Sequence, residues 1–189
     1  MEDYKQKTVE SYDKHAKEFA EKFKVKMELN RRYEFPRFLE LLQGKDVLDL
    51  GCGAGDHSVY FSQQGLNVTC IDLSDEMIKL CNQKGFKKAF VMDIEKLDFE
   101  NNSFDGIWAT ASLLHIPKAK IDGVMRSLHS LLRSNGVLYV CVKEGEGEKL
   151  MDDKHYKDTK RFFAFWTQEE LLHQFEGRCE VNRTSASQD

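Results

Sequence analysis

The sequence predicts an α/β fold with a doubly wound, mostly parallel, Rossmann-like sheet, and three observations carry that expectation. Short apolar runs recur at 47–50, 67–71, 89–92, 104–109 and 137–142. Segments with apolar residues at helical spacing lie between them. The first run enters a glycine-rich turn, reading VLDLGCGAGD over 47–56. Strands that alternate with helices argue a parallel sheet covered on both faces.

The elements follow in order. Tyr12, Ala16, Phe19 and Phe23 recur at helical spacing among Lys and Glu, which predicts one amphipathic N-terminal helix. A second helix starts near Pro36, turns Phe38, Leu39, Leu41 and Leu42 inward and stops at Gly44. Val47–Leu50 is a strand, His57–Gln64 a helix closed by Gly65, and Asn67–Ile71 the next strand. Ser74 caps the following helix, with Asp75 and Glu76 in its first turn, where acids suit the dipole. Strands at Ala89–Met92 and Phe104–Ala109 come next, then a helix over Lys118–Leu132 and a strand at Val137–Val142. Thr167 and Glu170 form a capping box for a last helix, and Cys179–Asn182 is a short final strand. The chain of 189 residues reads as one domain. Within it lie an N-terminal helical segment (1–44), a core (45–143), a charged insertion (144–161) and a strand–helix–strand segment (162–189).

Bulk properties narrow the function. Hydrophobic residues make up 41% of the chain and charged residues 32%, so it has a core and a well-solvated surface. A net charge of -4 carries no basic stripe, so nucleic acid is not an expected partner. The N-terminus lacks an apolar h-region and no run reaches the length of a membrane span, and the cysteine usage fits a reducing compartment, which predicts a cytoplasmic protein. Five cysteines without a CxxC pair suggest neither a disulfide framework nor a metal site.

Ligands of such sheets bind at the carboxyl ends of the strands. The first loop has G-x-G-x-G spacing rather than the dinucleotide G-x-G-x-x-G. Asp49 and Asp56 flank it; they would repel a pyrophosphate but favour an ammonium or sulfonium group. Asp72 ends the second strand at the spacing of an acid that accepts from ribose hydroxyls. Asp93 ends the third, placed to accept from an adenine amino group, with the Ile94 N–H placed to donate to a ring nitrogen. The fourth strand leads into ATASLLHIP, where His115 is the notable side chain.

Together, DLGCGAG, IDLSDEMI, VMDI and the segment after Trp108 resemble the class I S-adenosylmethionine (SAM)-dependent methyltransferases. The likeness is closest to the small-molecule branch that includes the ubiquinone and menaquinone biosynthesis methyltransferases. It runs from Val47 to Pro117, with weaker agreement through 137–142 and RFFAFWTQEEL (161–171). The resemblance implies SAM as cofactor and a small-molecule acceptor. It implies Asp49, Gly51 and Gly53 around the methionine part of SAM, Asp72 on the ribose, and Leu73 and Met77 against adenine. It further implies Asp93 and Ile94 at the adenine edge, the Ala109 backbone near the amino-acid end, the N-terminal helix as a lid, and Tyr12 in reach of the carboxylate. The family's seven-stranded type of sheet ends with an antiparallel strand, and this chain stops at RTSASQD (183–189), so that last strand is either missing or cut from the sequence, with truncation the expectation.

The expected reaction is methyl transfer to an oxygen or nitrogen of a small molecule, with His115 the candidate base because an unperturbed histidine titrates near neutrality. Specificity is expected from the N-terminal lid, from 110–117 and from the insertion EGEGEKLMDDKHYKDTKR (144–161), read as a solvated loop or as a mobile flap bringing Tyr156, Lys160 or Arg161 to an anionic substrate. The alternatives are a non-catalytic SAM-binding regulator and an NAD-dependent oxidoreductase. The latter requires G-x-G-x-x-G and an uncharged first strand.

Overall fold

In a computed structural model of the chain, which describes residues 1–30, 33–153, 156 and 158–177 (backbone only for 25–30), the N-terminal segment folds as three helices. They are α1 (Asp3–Lys14), α2 (Ala16–Asn30) and α3 (Glu34–Leu41). The single N-terminal helix expected from periodicity breaks at His15, whose φ of -123° leaves the helical region. The break serves two surfaces. Along α1, Lys5, Thr8 and Ser11 are buried, whereas α2 turns Ala16, Phe19 and Ala20 onto Ala54 and Met77.

The core follows as β1 (Asp46–Leu50), α4 (Asp56–Gln63), β2 (Asn67–Asp72), α5 (Asp75–Gln83), β3 (Ala89–Val91) and β4 (Phe104–Thr110). A 3₁₀ turn at Leu113–His115, α6 (Lys118–Leu131) and β5 (Leu132–Cys141) complete it. Five strands pair in the order β3-β2-β1-β4-β5, all parallel. The chain therefore winds outward from β1 through β2 to β3, then crosses back to β4. That reversal opens a crevice at the carboxyl ends of β1 and β4.

Side-chain alternation decides which face each residue serves. Leu48, Leu50, Ile71 and Ile107 pack with Ile121, Val124 and Leu128 of α6 on one face. Val47, Cys70 and Trp108 pack with Phe35, Phe38 and Phe61 on the other. Each such aliphatic or aromatic burial is worth about 1.5–3 kcal/mol. The cap predicted for α5 is present: Ser74 Oγ accepts from Met77 N–H at 3.1 Å.

The charged insertion differs from the expectation of a loop or flap. It contains β6 (Glu148–Asp152), which pairs antiparallel with β7 (Lys160–Ala164) as a separate two-stranded sheet. Its charges are partly cross-strand partners: Asp152 faces Lys160 in register, with Oδ1 3.3 Å from Nζ. Phe162 and Phe163 of β7 and the following Trp166 are buried. The capping box opens α7 (Gln168–His173) as expected, while the strand expected at Cys179–Asn182 lies outside the described residues. Among the described residues no helix is long and apolar enough to cross a membrane.

Candidate functional site

The crevice at the strand ends is a cleft walled by residues 51–54, 72–74, 93–94, 110–112 and 114–115, with α1 and α2 across its mouth. Its floor is the glycine loop after β1. Gly51, Gly53 and Gly55 have φ of 73°, 53° and 80°, a region that favours glycine. A Cβ on Gly51 would come within 2.4 Å of Ser112 Cβ, whereas one on Gly53 would project into open space. Gly53 thus presents bare backbone to the cleft.

Asp72 ties this loop to the next. Its Oδ2 accepts from Gly53 N–H and its Oδ1 from Ser74 N–H, both at 2.9 Å. Burial pushes the carboxyl above its ordinary value, with these N–H groups pulling the other way. Leu73 and Met77 line the cleft beside it, and Met77 also packs beneath α2 with Phe19 and Ala54. Asp49 lies behind the loop rather than on the cleft wall: it is 2% exposed and accepts from Ser58 Oγ at 2.5 Å. Burial raises it to about 8. Asp56, at the first turn of α4, is held by Lys84 Nζ at 2.7 Å.

Asp93 and Ile94 are on the wall, and Asp93 is already engaged. Lys5 Nζ from α1 lies 2.7 Å from Asp93 Oδ2 and 2.8 Å from Glu95 Oε1. Further contacts pin α1 along its length. Phe162 N–H donates to Thr8 Oγ1 at 3.0 Å, Ser11 Oγ meets Thr159 Oγ1 at 3.0 Å, and Ser74 Oγ donates to Asp13 Oδ1 at 2.6 Å. One helix therefore bridges the ends of β2 and β3 and the β6–β7 hairpin.

Tyr12 and His115 meet on the same side. His115 Nδ1 lies 2.6 Å from the Phe162 carbonyl, which only accepts, so Nδ1 carries the proton. Nε2 then accepts from Tyr12 Oη at 2.9 Å, and Tyr12 Oη accepts from Arg161 Nη1 at 2.8 Å. Arg161 is also ion-paired to the buried Asp153, so its charge is met from inside. Burial holds His115 down at about 3, which keeps the ring neutral near pH 7. The other core histidine, His57, accepts from Trp108 Nε1 at 3.1 Å and is pushed down to about 4 by burial.

The cleft thus gathers Tyr12, Gly51, Gly53, Asp72, Leu73, Met77, Asp93, Ile94 and His115 of the expected residues. Ala109 is fully buried within β4, and Thr110 and Ser112 take the wall instead. Both hydroxyl oxygens are buried without a hydrogen-bond partner, which leaves them as the unsatisfied polar atoms of this wall. Sequence reasoning named their segment, 110–117, but not these two hydroxyls, and it missed Lys5: one lysine in a polar helix carries no local signal.

Residues 48–140 match the methyltransferase domain family. The chain is 30% identical over 129 residues to a sterol 4-C-methyltransferase of Caenorhabditis elegans, covering 63% of this chain and 37% of that protein. It is 32% identical over 105 residues to a ubiquinone biosynthesis O-methyltransferase of Xanthomonas oryzae, covering 52% of this chain and 43% of that protein. The matches thus span less than half the length of these two relatives. Among solved structures, DhpI in complex with SAH superposes with a TM-score of 0.74 at 21% identity, covering 90% of this chain and 84% of DhpI. At that identity the likeness speaks to the fold alone.

Proposed function

From its membership of the class I SAM-dependent methyltransferases, carried by the domain match, the ubiquinone O-methyltransferase relative and the shared fold, we propose that this chain moves a methyl group from SAM to an oxygen or nitrogen of a small-molecule acceptor. The observation that carries the reading is the Asp72–Gly53 junction: a carboxylate and a bare glycine backbone share one wall of the cleft. The residues fit a ligand that has ribose hydroxyls and no phosphate. Gly51 and Gly53 would border the methionine part, Asp72 the ribose, Leu73 and Met77 the adenine faces, and Asp93 and Ile94 its edge. Asp49 acts from behind the loop. Its carboxyl ionises more readily once a cation enters the cleft, and its charge then favours the ammonium.

SAM, when bound, supplies a methyl group on a sulfonium, which is already a good leaving group. The protein's share is to align the acceptor, exclude water and take a proton where the nucleophile has one. Alignment of this kind is worth up to about 7–11 kcal/mol. The α1 lid excludes water. The proton path is the Tyr12–His115 pair: Tyr12 Oη receives the acceptor's proton as its own passes to His115 Nε2. Arg161 beside the phenol supports negative charge there, and the low basicity of the buried ring leaves positioning as the larger contribution. The test is a labelled-SAM transfer screen across small amines, phenols, carboxylates and thiols. Transfer to none of them, with SAM bound, would favour a non-catalytic binding protein.

A further inference from the structure

Three cysteines meet where the glycine loop, β2 and α5 come together. Cys52, Cys70 and Cys81 are 9%, 0% and 0% exposed, and their sulfurs all lie within 4.8 Å of one another. Cys52 sits between Gly51 and Gly53 and lines the cleft. Cys70 is fixed in β2, where its S–H donates to Ser58 Oγ at 3.1 Å. Cys81 presses on the loop from α5: a Cβ on Gly55 would come within 2.7 Å of its sulfur. Nothing in methyl transfer uses a thiol, so the cluster is unspent chemistry beneath the loop.

We propose that this cluster is an oxidation site, at which a peroxide entering the cleft converts Cys52 and Cys81 to a disulfide that closes the glycine loop. Cys52 is the point of entry because it is the member on the cleft wall. Its sulfur attacks one peroxide oxygen and its proton leaves with the departing hydroxide, giving the sulfenic acid and one water. The Cys81 sulfur then attacks the Cys52 sulfur, and its proton leaves with the displaced hydroxyl as water. In sum, two thiols and one peroxide give one disulfide and two waters. The sulfurs must close to about 2.0 Å. The movement falls on the loop, because α5 is held by its Ser74 cap and by Met77 and Ile78 in the core.

A disulfide suits the surroundings better than a metal ion. Three thiolates around a divalent cation leave a net negative charge beside Asp49, itself buried. Among the described residues no fourth Cys, His, Asp or Glu joins the group. The cluster also resists full ionisation: hydrogen bonds from its neighbours hold Cys81 below the ordinary thiol range, while Cys52 and Cys70 are pushed up. A disulfide is neutral and needs no such charge.

The effect on cofactor binding rests on the SAM reading of the cleft; the bond itself does not. The experiment treats the reduced protein with stoichiometric hydrogen peroxide, blocks free thiols, and digests with trypsin and chymotrypsin, which place the three cysteines on separate peptides. Mass spectrometry should find the Cys52 peptide linked to the Cys81 peptide. Titration calorimetry should show SAM affinity lowered at least tenfold and restored by dithiothreitol, and bound SAH should slow the oxidation. Cys81→Ala should abolish the linkage and Cys70→Ala should keep it. No linked peptide, linkage to Cys70, or one equivalent of tightly bound zinc that blocks oxidation would overturn the site. Linkage with unchanged SAM affinity would overturn its control of the loop. If reduced protein binds no SAM, the cofactor reading fails while the linked peptides still decide the oxidation site.

Discussion

Asp72 shows how one side chain serves both structure and binding. Its two oxygens each accept a loop N–H, so they are fixed before any ligand arrives. A charged hydrogen bond of this kind contributes about 1.5–3 kcal/mol. Asp72→Asn should therefore weaken SAM binding by roughly 10- to 100-fold in calorimetry, while far-ultraviolet circular dichroism stays unchanged. Unaltered affinity would remove Asp72 from the site. His115 separates binding from turnover. It touches Tyr12 and the Phe162 carbonyl, not the glycine loop. His115→Ala should leave the SAM dissociation constant within about threefold and cut turnover by roughly 10- to 100-fold, the low end for proton transfer because the buried ring is weakly basic. Full activity on the true acceptor would end its role in proton transfer. The sequence made Asp72 legible because strand, glycines and acid sit at a fixed local spacing. The partners of His115 were not legible, because they come from positions 12 and 162.

At the scale of elements, helix α1 is the piece that sequence described least well. Its apolar stripe runs through Tyr12 into Phe19 with unbroken helical period, so nothing local announces the break at His15. Docking decides it: one half follows β7 and the other covers the glycine loop. The β6–β7 hairpin was hidden for a related reason. Its charges read as solvation along the chain and become pairs only across strands. The core strands and helices were legible because each carries its own pattern and its own cap. If α1 is a lid, Lys5 is its latch, since it is 9% exposed and meets both Asp93 and Glu95. Lys5→Ala leaves Asp93 without its ion-pair partner while Glu95 keeps Lys120 and Tyr4, which should cost about 1–3 kcal/mol. Hydrogen exchange should quicken in α1 and stay slow in β1 and β4. Uniform loss of protection would mean that α1 is part of the global folding unit and not a separable lid.

For the whole molecule, ligand and proton linkage give independent readings. Saturation with SAM at about 100 times its dissociation constant adds about 2.7 kcal/mol. In a domain of this size that is roughly a 5–10 °C rise in melting temperature. NAD should give none; equal shifts would sink the cofactor assignment. Proton linkage sets the pH of greatest stability. His57 and His115 are held at about 4 and about 3 in the fold, whereas unfolded histidine titrates near 6.5. Below pH 6.5 the unfolded chain therefore binds more protons at these sites, and stability falls as the solution is acidified. Asp49 acts in the opposite sense. Its folded value of about 8 lies above its unfolded one, so its contribution is present at low pH and is lost as pH rises toward 8. Two histidines outweigh one aspartate below 6.5; above it Asp49 lowers stability as pH rises while Cys81, held down at about 5, raises it, so the aspartate is read from the difference between wild type and variant. Asp49→Asn should raise the alkaline limb relative to wild type and His57→Gln should flatten part of the acid limb, each read by thermal denaturation across pH 4–9. An Asp49→Asn curve with an unchanged alkaline limb would show that Asp49 is ionised in the folded protein and already charged when the cofactor arrives.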